Sequence, residues 1–218
     1  LYQRALALRP EWEEGLWYLG TLLYKKDQFA PARDVFRRFV ALRPDAGAGL
    51  GFLGMSEFRL REYARALGHL QRAMALGMGD REDLKQSVFY SVAVLLTRFE
   101  QYDDSLGLLS GIVNSGHPCD AAVVAAAGLA GLRWPLLPAE IPGLRQELIR
   151  LAGQGLCAAQ VGQSDQALKL LSAMADAYPN EPGVHFLFGS LLLNIRPEEG
   201  IREMKRELEI SPSHVPAR

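Results

Sequence analysis

The sequence has little cysteine and no long apolar run, and each shortage excludes a class of protein. Cys119 and Cys157 are the only cysteines in 218 residues, too few for the disulfide framework of a small secreted scaffold. Each is interpreted as a small buried apolar residue, with a single disulfide between them as the alternative. The most apolar stretch, residues 121–132, is shorter than the ~20 residues that a membrane-spanning helix needs.

An excess of charge of one sign is also missing. The 24 lysines and arginines nearly balance the 25 aspartates and glutamates, which gives a net charge of −1. A chain without positive excess has no general attraction for nucleic acid or for an anionic membrane surface. We therefore expect neither a nucleic-acid partner nor a membrane span.

Recognisable catalytic and cofactor motifs are lacking. Residues 49–54 match the glycine spacing of dinucleotide sites, but that site needs a preceding strand, and here the pattern falls inside a predicted helix. The histidines lack the paired spacing typical of metal ligands. We predict no enzymatic activity, no cofactor and no metal. The four histidines are His69, His117, His185 and His214.

The carboxylates near the carboxyl end are interpreted as a solvated helix face, because lysines and arginines alternate with them at helical spacing. Charge pairs of this kind support an exposed helix and need no catalytic role. The carboxylates are Glu198, Glu199, Glu203, Glu207 and Glu209.

What the sequence does contain is an internal repeat. Apolar residues recur at helical spacing, and glycine, alanine and proline return at a fixed period. A proline after an apolar helical pattern ends that helix, since proline cannot continue the hydrogen-bond ladder. The separations are 34 residues for Gly20 to Gly54, Ala32 to Ala66, Pro10 to Pro44 and Gly155 to Gly189, and 33 for Pro179 to Pro212.

This pattern resembles the tetratricopeptide repeat, a helix-turn-helix unit of about 34 residues. Leu16 and Leu50 stand where that family has its opening tryptophan. The resemblance implies an all-α fold, a right-handed superhelical α-solenoid of antiparallel helix pairs. Because the chain opens at Leu1 rather than at a methionine, we expect a fragment of a longer repeat array.

The pattern predicts helices separated by short turns and no strand. Residues 1–9 are expected to be the second helix of an incomplete repeat, and residues 215–218 the start of another. The predicted helices between them cover residues 13–26, 29–42, 46–60, 63–76, 80–99, 102–115, 119–132, 142–161, 164–178, 182–194 and 198–210.

Two repeats depart from the pattern. The third is longer, since Ala66 to Ser105 is 39 residues, and the extra residues fall near 78–85. In the fourth, residues 134–142 include three prolines, which exclude a full second helix. We expect this segment to replace the helix, with Trp134 and Leu137 filling the gap; a stiff linker or a specialised binding surface is the alternative. The predicted organisation is residues 1–118, 119–142 and 143–218.

The first helix of each pair is expected to line a groove for a partner peptide or helix. Rigid aromatic side chains there are typical of interface hot spots, although packing between repeats explains them equally well. Cations at the ends of these helices could hold acidic groups, or simply favour a helix C-terminus. The candidate groove residues are Trp17, Tyr18, Thr21, Lys25, Phe52, Met55, Arg59, Tyr90, Val94 and Arg98.

The function predicted from these observations is a non-catalytic protein-interaction module or scaffold. The alternative is a targeting array of a larger enzyme whose catalytic domain lies outside this chain. The clamp of lysine, asparagine and arginine by which some tetratricopeptide proteins hold a terminal carboxylate is missing from the corresponding positions. End-to-end self-association through the apolar faces of the outer repeats is a further possibility.

Overall fold

A computed structural model describes residues 2–212, and every regular element within them is helical. This confirms the all-α fold class. The chain divides into two compact units, the first extending to Leu95 and the second beginning at Leu96. The three-part organisation drawn from the sequence stays a prediction. No helix in the described part of the chain is long and apolar enough to cross a membrane.

The first unit contains α1 (Tyr2–Leu8), α2 (Glu13–Lys25), α3 (Phe29–Leu42), α4 (Gly47–Arg59), α5 (Tyr63–Leu76) and most of α6 (Glu82–Arg98). The second contains α7 (Tyr102–Asn114), α8 (Ala121–Gly131), α9 (Gln146–Gln160), α10 (Ser164–Ala177), α11 (Val184–Leu193) and α12 (Pro197–Ile210). All the predicted helices within residues 2–212 are present, while the expected one at 215–218 lies outside the described residues.

Glycine and a large side chain 16 residues later hold the two helices of a pair together. A Cβ atom on Gly20 would lie 2.8 Å from the Phe36 ring, and one on Gly54 would lie 2.7 Å from Leu70. In the second unit the same relation joins Gly155 to Leu171, at 2.5 Å. These helices can therefore approach closely only where the first helix has no side chain, which explains a residue that otherwise weakens a helix.

The turn that follows the first helix of a repeat is also regular, except after α11, where no residue has a positive φ. After α2 the chain passes through a left-handed residue, Asp27 (φ 56°), while the amide of Gln28 donates to the Leu23 carbonyl at 3.0 Å. This is the Schellman ending of a helix. The same left-handed residue and hydrogen bond follow α4, α6, α8 and α9, at Arg61, Glu100, Arg133 and Gly162.

The long third repeat is explained by a longer first helix. Helix α6 has 17 residues where α4 has 13, and the loop before it, residues 77–81, has one residue more than the loop at 43–46. Four residues in the helix and one in the loop account for the five extra residues of the sequence. Gly77 and Gly79, both with positive φ, give that loop its bend.

The proline segment at residues 134–142 forms no α-helix, as its prolines predict. It contains a single 3₁₀ turn, Pro138–Glu140, and another 3₁₀ turn, Gly143–Arg145, precedes α9. Leu137 is buried, and Trp134 packs against the apolar core of the second unit and donates its indole N–H to the Pro182 carbonyl at 3.3 Å. The segment is thus part of the packed unit, as expected, and not a free linker.

Helices α8 and α9 contact each other directly, since no second helix separates them. A Cβ atom on Gly128 would lie 2.2 Å from the Ile149 carbonyl oxygen, and one on Gly153 would lie 1.9 Å from that of Val124. The two backbones therefore touch at these glycines. Leu129 and Leu148, nearly without exposure, fill the core beside this contact.

Cys119 and Cys157 form a disulfide, with their Cα atoms 6.2 Å apart. The interpretation of the two residues as separate buried thiols is wrong. The bond connects Cys119, two residues before α8, to Cys157 in the last turn of α9, and the two are 38 residues apart in the sequence. Their separation in the sequence carried no sign of this pairing, because it depends on how α8 and α9 pack.

The interpretation of the acidic residues of α12 as a solvated face is wrong for two of them. Glu207 has no exposed surface, and its carboxylate accepts the amides of Gly183 and Phe186 at 2.8 and 3.2 Å. Glu203 contacts Nδ1 of the buried His185 at 2.5 Å. A carboxylate at the amino end of α11 satisfies amides that lack a partner within the helix.

Candidate partner-binding face

The candidate face of the first unit is built on an aromatic cluster. The Trp17 ring lies 5.6 Å from Phe52 on α4 and 5.4 Å from Phe39 on α3, while Phe36 and Phe52 stack at 5.1 Å. Trp17 and Phe52 are half-buried. The cluster joins three helices from two repeats, so these two predicted groove residues serve packing between the repeats.

Tyr18 differs from its neighbour Trp17 because it remains 54% exposed. Its ring stacks on Tyr2 of α1, with centroids 6.0 Å apart. Thr21, one turn further along α2, returns its hydroxyl to the Trp17 carbonyl at 3.0 Å. Leu22 is also exposed, at 42%. Tyr18 and Leu22 therefore present apolar surface on one side of α2.

Two of the predicted cations end the first helices of this unit. Lys25 is exposed in the last turn of α2, and Arg59 takes the same place in α4. The Arg59 guanidinium lies 4.2 Å from the centre of the Phe29 ring and 3.9 Å from the Asp27 carboxylate, and half of its side chain is exposed. Its donors thus remain available on the solvent side.

Tyr24, between these cations, has its pKa raised from 10.0 because burial disfavours the phenolate, although the positive charge of Arg59 partly opposes this. The Tyr24 ring contacts both Phe29 and Phe52 at 5.4 Å. Tyr24 therefore packs as a neutral aromatic side chain against Phe29, the ring on which Arg59 lies.

The remaining candidates, on α4 and α6, are less accessible. Val94 is only 2% exposed, Tyr90 is half-buried, and the sulfur of Met55 lies 3.3 Å from the Ser91 hydroxyl. Arg98 belongs to the second unit, where it donates to the Pro135 carbonyl at 2.7 Å. The sequence pattern could not separate exposed from packed positions, and the groove itself stays a prediction.

One cation of this face was missed by the sequence argument. Arg81 lies just before α6, and its guanidinium is 4.8 Å from the centre of the Trp17 ring. This contact depends on the position of the loop at residues 77–81, and no local signal marks it. Arg81 adds a third positive charge near the exposed part of the aromatic cluster.

Two histidine–carboxylate pairs lie elsewhere and are structural. His69 contacts the fully buried Glu57 at 2.6 Å, and the Nε2 of His185 faces the Pro179 carbonyl at 2.9 Å. His185 is 2% exposed, which leaves no room for a substrate. Among residues 2–212, no three of the side chains that ligate metals come together.

The second unit contains an apolar cavity of about 220 Å³ between α7, α8 and α9. Leucine, valine and alanine side chains form its walls, and Ser110 and Gln160 supply polar atoms. Cys157 of the disulfide also lines it. The cavity lies beside the helices α8 and α9, which pack directly on each other.

Comparison with known proteins agrees with this architecture. Residues 14–46 match the family model described as Tetratricopeptide repeat. This stretch begins in α2 and ends just before α4, so it covers one helix pair and the turn that joins the pair to the next repeat. No curated protein matches the chain.

Several solved structures are similar to the chain at low identity. YrrB, a TPR protein with an unusual peptide-binding site, is 17% identical, covering 100% of this chain and 95% of its own, with a TM-score of 0.47. TTC0263, a thermophilic TPR protein of Thermus thermophilus, is 22% identical (94% and 95% covered, TM-score 0.38). A MamA fragment of Desulfovibrio magneticus RS-1 is 17% identical (93% and 96% covered, TM-score 0.40).

Antiparallel helix pairs with a recurring glycine contact and a recurring left-handed turn define a helical-repeat protein. The family-model match at residues 14–46, and the same contacts at Gly54 and Gly155, identify the repeat. Residues 14–46 match one tetratricopeptide repeat, and the chain has the architecture of a helical-repeat protein, in which packed helix pairs expose extended surfaces.

Proposed function

We propose that the chain binds a partner protein through the candidate face of its first unit, receiving a peptide or helix there, and that it has no catalytic activity. The observation that carries the proposal is the exposed row Tyr18, Leu22 and Lys25 on α2, beside Arg59 on α4. An aromatic ring, an aliphatic side chain and two cations in one row combine apolar contact with charge recognition.

Trp17 and Phe52 pack between the two helices that form this face. Trp17 and Phe52 fix the spacing of α2 and α4, which keeps Tyr18 and Arg59 in place. Alanine at either packed position would disturb the fold itself, so a binding test requires the exposed residues. The absence of catalysis is proposed because His185 is buried against its carboxylate partner and the carboxylate that faces His69, Glu57, has no exposed surface.

The test is capture of partners from the source cell by the full chain and by the triple variant Tyr18→Ala, Lys25→Ala, Arg59→Ala, read by mass spectrometry. We expect the triple variant to keep its helical circular dichroism and to lose the captured proteins. The control is Arg65→Ala with Gln71→Ala on α5, two exposed positions outside this face. Equal capture by the triple variant and the control would reject the proposal.

A further inference from the structure

In the second unit, Arg98 binds the extended segment at residues 134–142 of the same chain. Arg98 donates to the Pro135 carbonyl at 2.7 Å and lies 3.6 Å from the Glu140 carboxylate. The same carboxylate accepts the amide of Leu137 at 2.9 Å. One arginine thus binds a main-chain carbonyl and an acidic side chain of a single short segment.

The backbone of this segment is extended at the residues that flank its 3₁₀ turn. Leu137 has φ −86° and ψ 152°, and Ile141 and Pro142 have φ near −60° with ψ of 120° and 142°. Three prolines favour this conformation before any contact is made. Between the two groups that reach Arg98, Leu137 is buried to 6% exposure. The segment is held as a bound peptide would be.

Arg98 occupies the same position in its repeat as Lys25 and Arg59 occupy in theirs. Each of the three cations lies in the last turn of a first helix. Each also lies two residues before the left-handed residue of the turn, which is Asp27, Arg61 or Glu100. The three side chains therefore leave equivalent positions of their repeats in equivalent directions.

Within residues 2–95, the Arg59 guanidinium contacts the Phe29 ring and the Asp27 carboxylate but no main-chain carbonyl of an extended segment. Half of the Arg59 side chain is exposed, and its nearest carboxylate is Asp27 at 3.9 Å, too far for a hydrogen bond. Lys25 is exposed beside it, and Tyr18 and Leu22 offer apolar surface on the same side of α2. Arg81 at the Trp17 ring extends the positive charge.

We infer that the partner of the first unit is an extended acidic peptide containing proline, which places a carboxylate and a main-chain carbonyl on Arg59 and an apolar side chain on Tyr18 and Leu22. Residues 134–142 display this chemistry at the equivalent arginine of the second unit. The inference rests on the proposed function and specifies its ligand. An arginine fork favours a carboxylate over a neutral amide, so the acid determines specificity.

The test titrates the full chain into a fluorescein-labelled nonapeptide with the sequence of residues 134–142, capped at both ends, and follows fluorescence anisotropy. A second peptide carries glutamine in place of the glutamate. We expect saturable binding that weakens about tenfold with Arg59→Ala, because the charge-assisted hydrogen bond to a main-chain carbonyl is lost, and about threefold with the glutamine peptide, because one partly exposed ion pair is lost. Arg59→Lys should recover part of the affinity.

Arg65→Ala serves as the matched control, since it removes an exposed arginine from α5, and circular dichroism checks that every variant folds. Absence of peptide binding would overturn the inference. Binding that is equal for the two peptides, or unchanged by Arg59→Ala, would overturn it as well. In either case a loss of captured partners from the Tyr18, Lys25 and Arg59 variant would leave the proposed function standing, so the two failures are distinguishable.

Discussion

At the scale of single residues, glycine and buried carboxylate carry the specificity of this fold. Gly20 and Gly54 let the second helix approach, while Gly68 lies on the open side of α5 with no atom within 4 Å of an added Cβ. The same residue type is thus essential in one place and replaceable in another. Whether a glycine can be replaced depends on the atoms that its new Cβ would meet, and not on helix propensity.

Gly20→Ala is expected to lower the free energy of unfolding by up to about 2 kcal/mol. The new methyl group would lie 2.8 Å from the Phe36 ring, and overpacking of about 1–3 kcal/mol exceeds the gain in helix propensity of roughly 1 kcal/mol. Gly68→Ala, with nothing to displace, should stabilise instead. Urea unfolding of both variants decides this, and a stabilising Gly20→Ala would contradict the packing argument.

Glu207→Ala is expected to lower the free energy of unfolding by about 1–3 kcal/mol, because the amides of Gly183 and Phe186 lose their buried acceptor. The control is Glu209→Ala, an exposed position on the same helix, for which the change should stay within about 0.5 kcal/mol. Thermal unfolding measures both. Similar losses in the two variants would mean that Glu207 does not cap α11.

At the scale of helices, α3 and α5 are joined by charge as well as by apolar packing. Glu62, immediately before α5, pairs with Arg33 on α3 and lies 3.5 Å from Arg37. Burial alone would raise the pKa of Glu62, but the hydrogen bond and charge of Arg33, with those of Arg65, lower it below 4.5. A carboxylate with a lowered pKa stabilises the folded state only while ionised.

Glu62→Gln is therefore expected to lower the free energy of unfolding at neutral pH by about 0.5–1 kcal/mol, a size typical of partly exposed charge networks. The difference from the wild type should be complete above the unfolded pKa of 4.5 and should disappear as the pH falls through the lower folded pKa. Denaturation at pH 7 and at successive lower pH values measures it. A difference that persists in acid would indicate a loss of packing rather than of charge.

At the scale of the whole molecule, the disulfide cross-links the region in which the fourth repeat has no second helix. The fourth repeat has only its first helix, α8, which packs on α9 through two glycines. The bond from Cys119 to Cys157 fixes the same two helices covalently. The cross-link therefore restrains the part of the second unit in which a repeat is incomplete.

The double variant Cys119→Ser, Cys157→Ser is expected to lose about 2–4 kcal/mol of stability, because a loop of 38 residues is no longer closed in the unfolded chain. Wild type unfolded in the presence of a reductant should match the variant. Thiol titration of the unfolded, unreduced protein should find no free cysteine. Two reactive thiols in that assay would show that the bond does not form.

The sequence by itself determined the helices, the 34-residue period and the break at residues 134–142, because glycine, proline and apolar spacing act locally. The order of first and second helices followed from the same period. The same period marked three cations, Lys25, Arg59 and Arg98, because the last turn of each first helix recurs with the repeat. These features need only a few neighbouring residues to be defined.

Only the tertiary structure decided which of those side chains face solvent. Trp17 and Tyr18 are adjacent on one helix, yet Trp17 packs between repeats and Tyr18 remains exposed. The disulfide, the buried Glu207 and the contact of Arg98 with residues 135–140 likewise join positions that are distant in the sequence. The physical reason is the same in each case: burial and pairing depend on how neighbouring helices pack, and a local pattern does not contain that information.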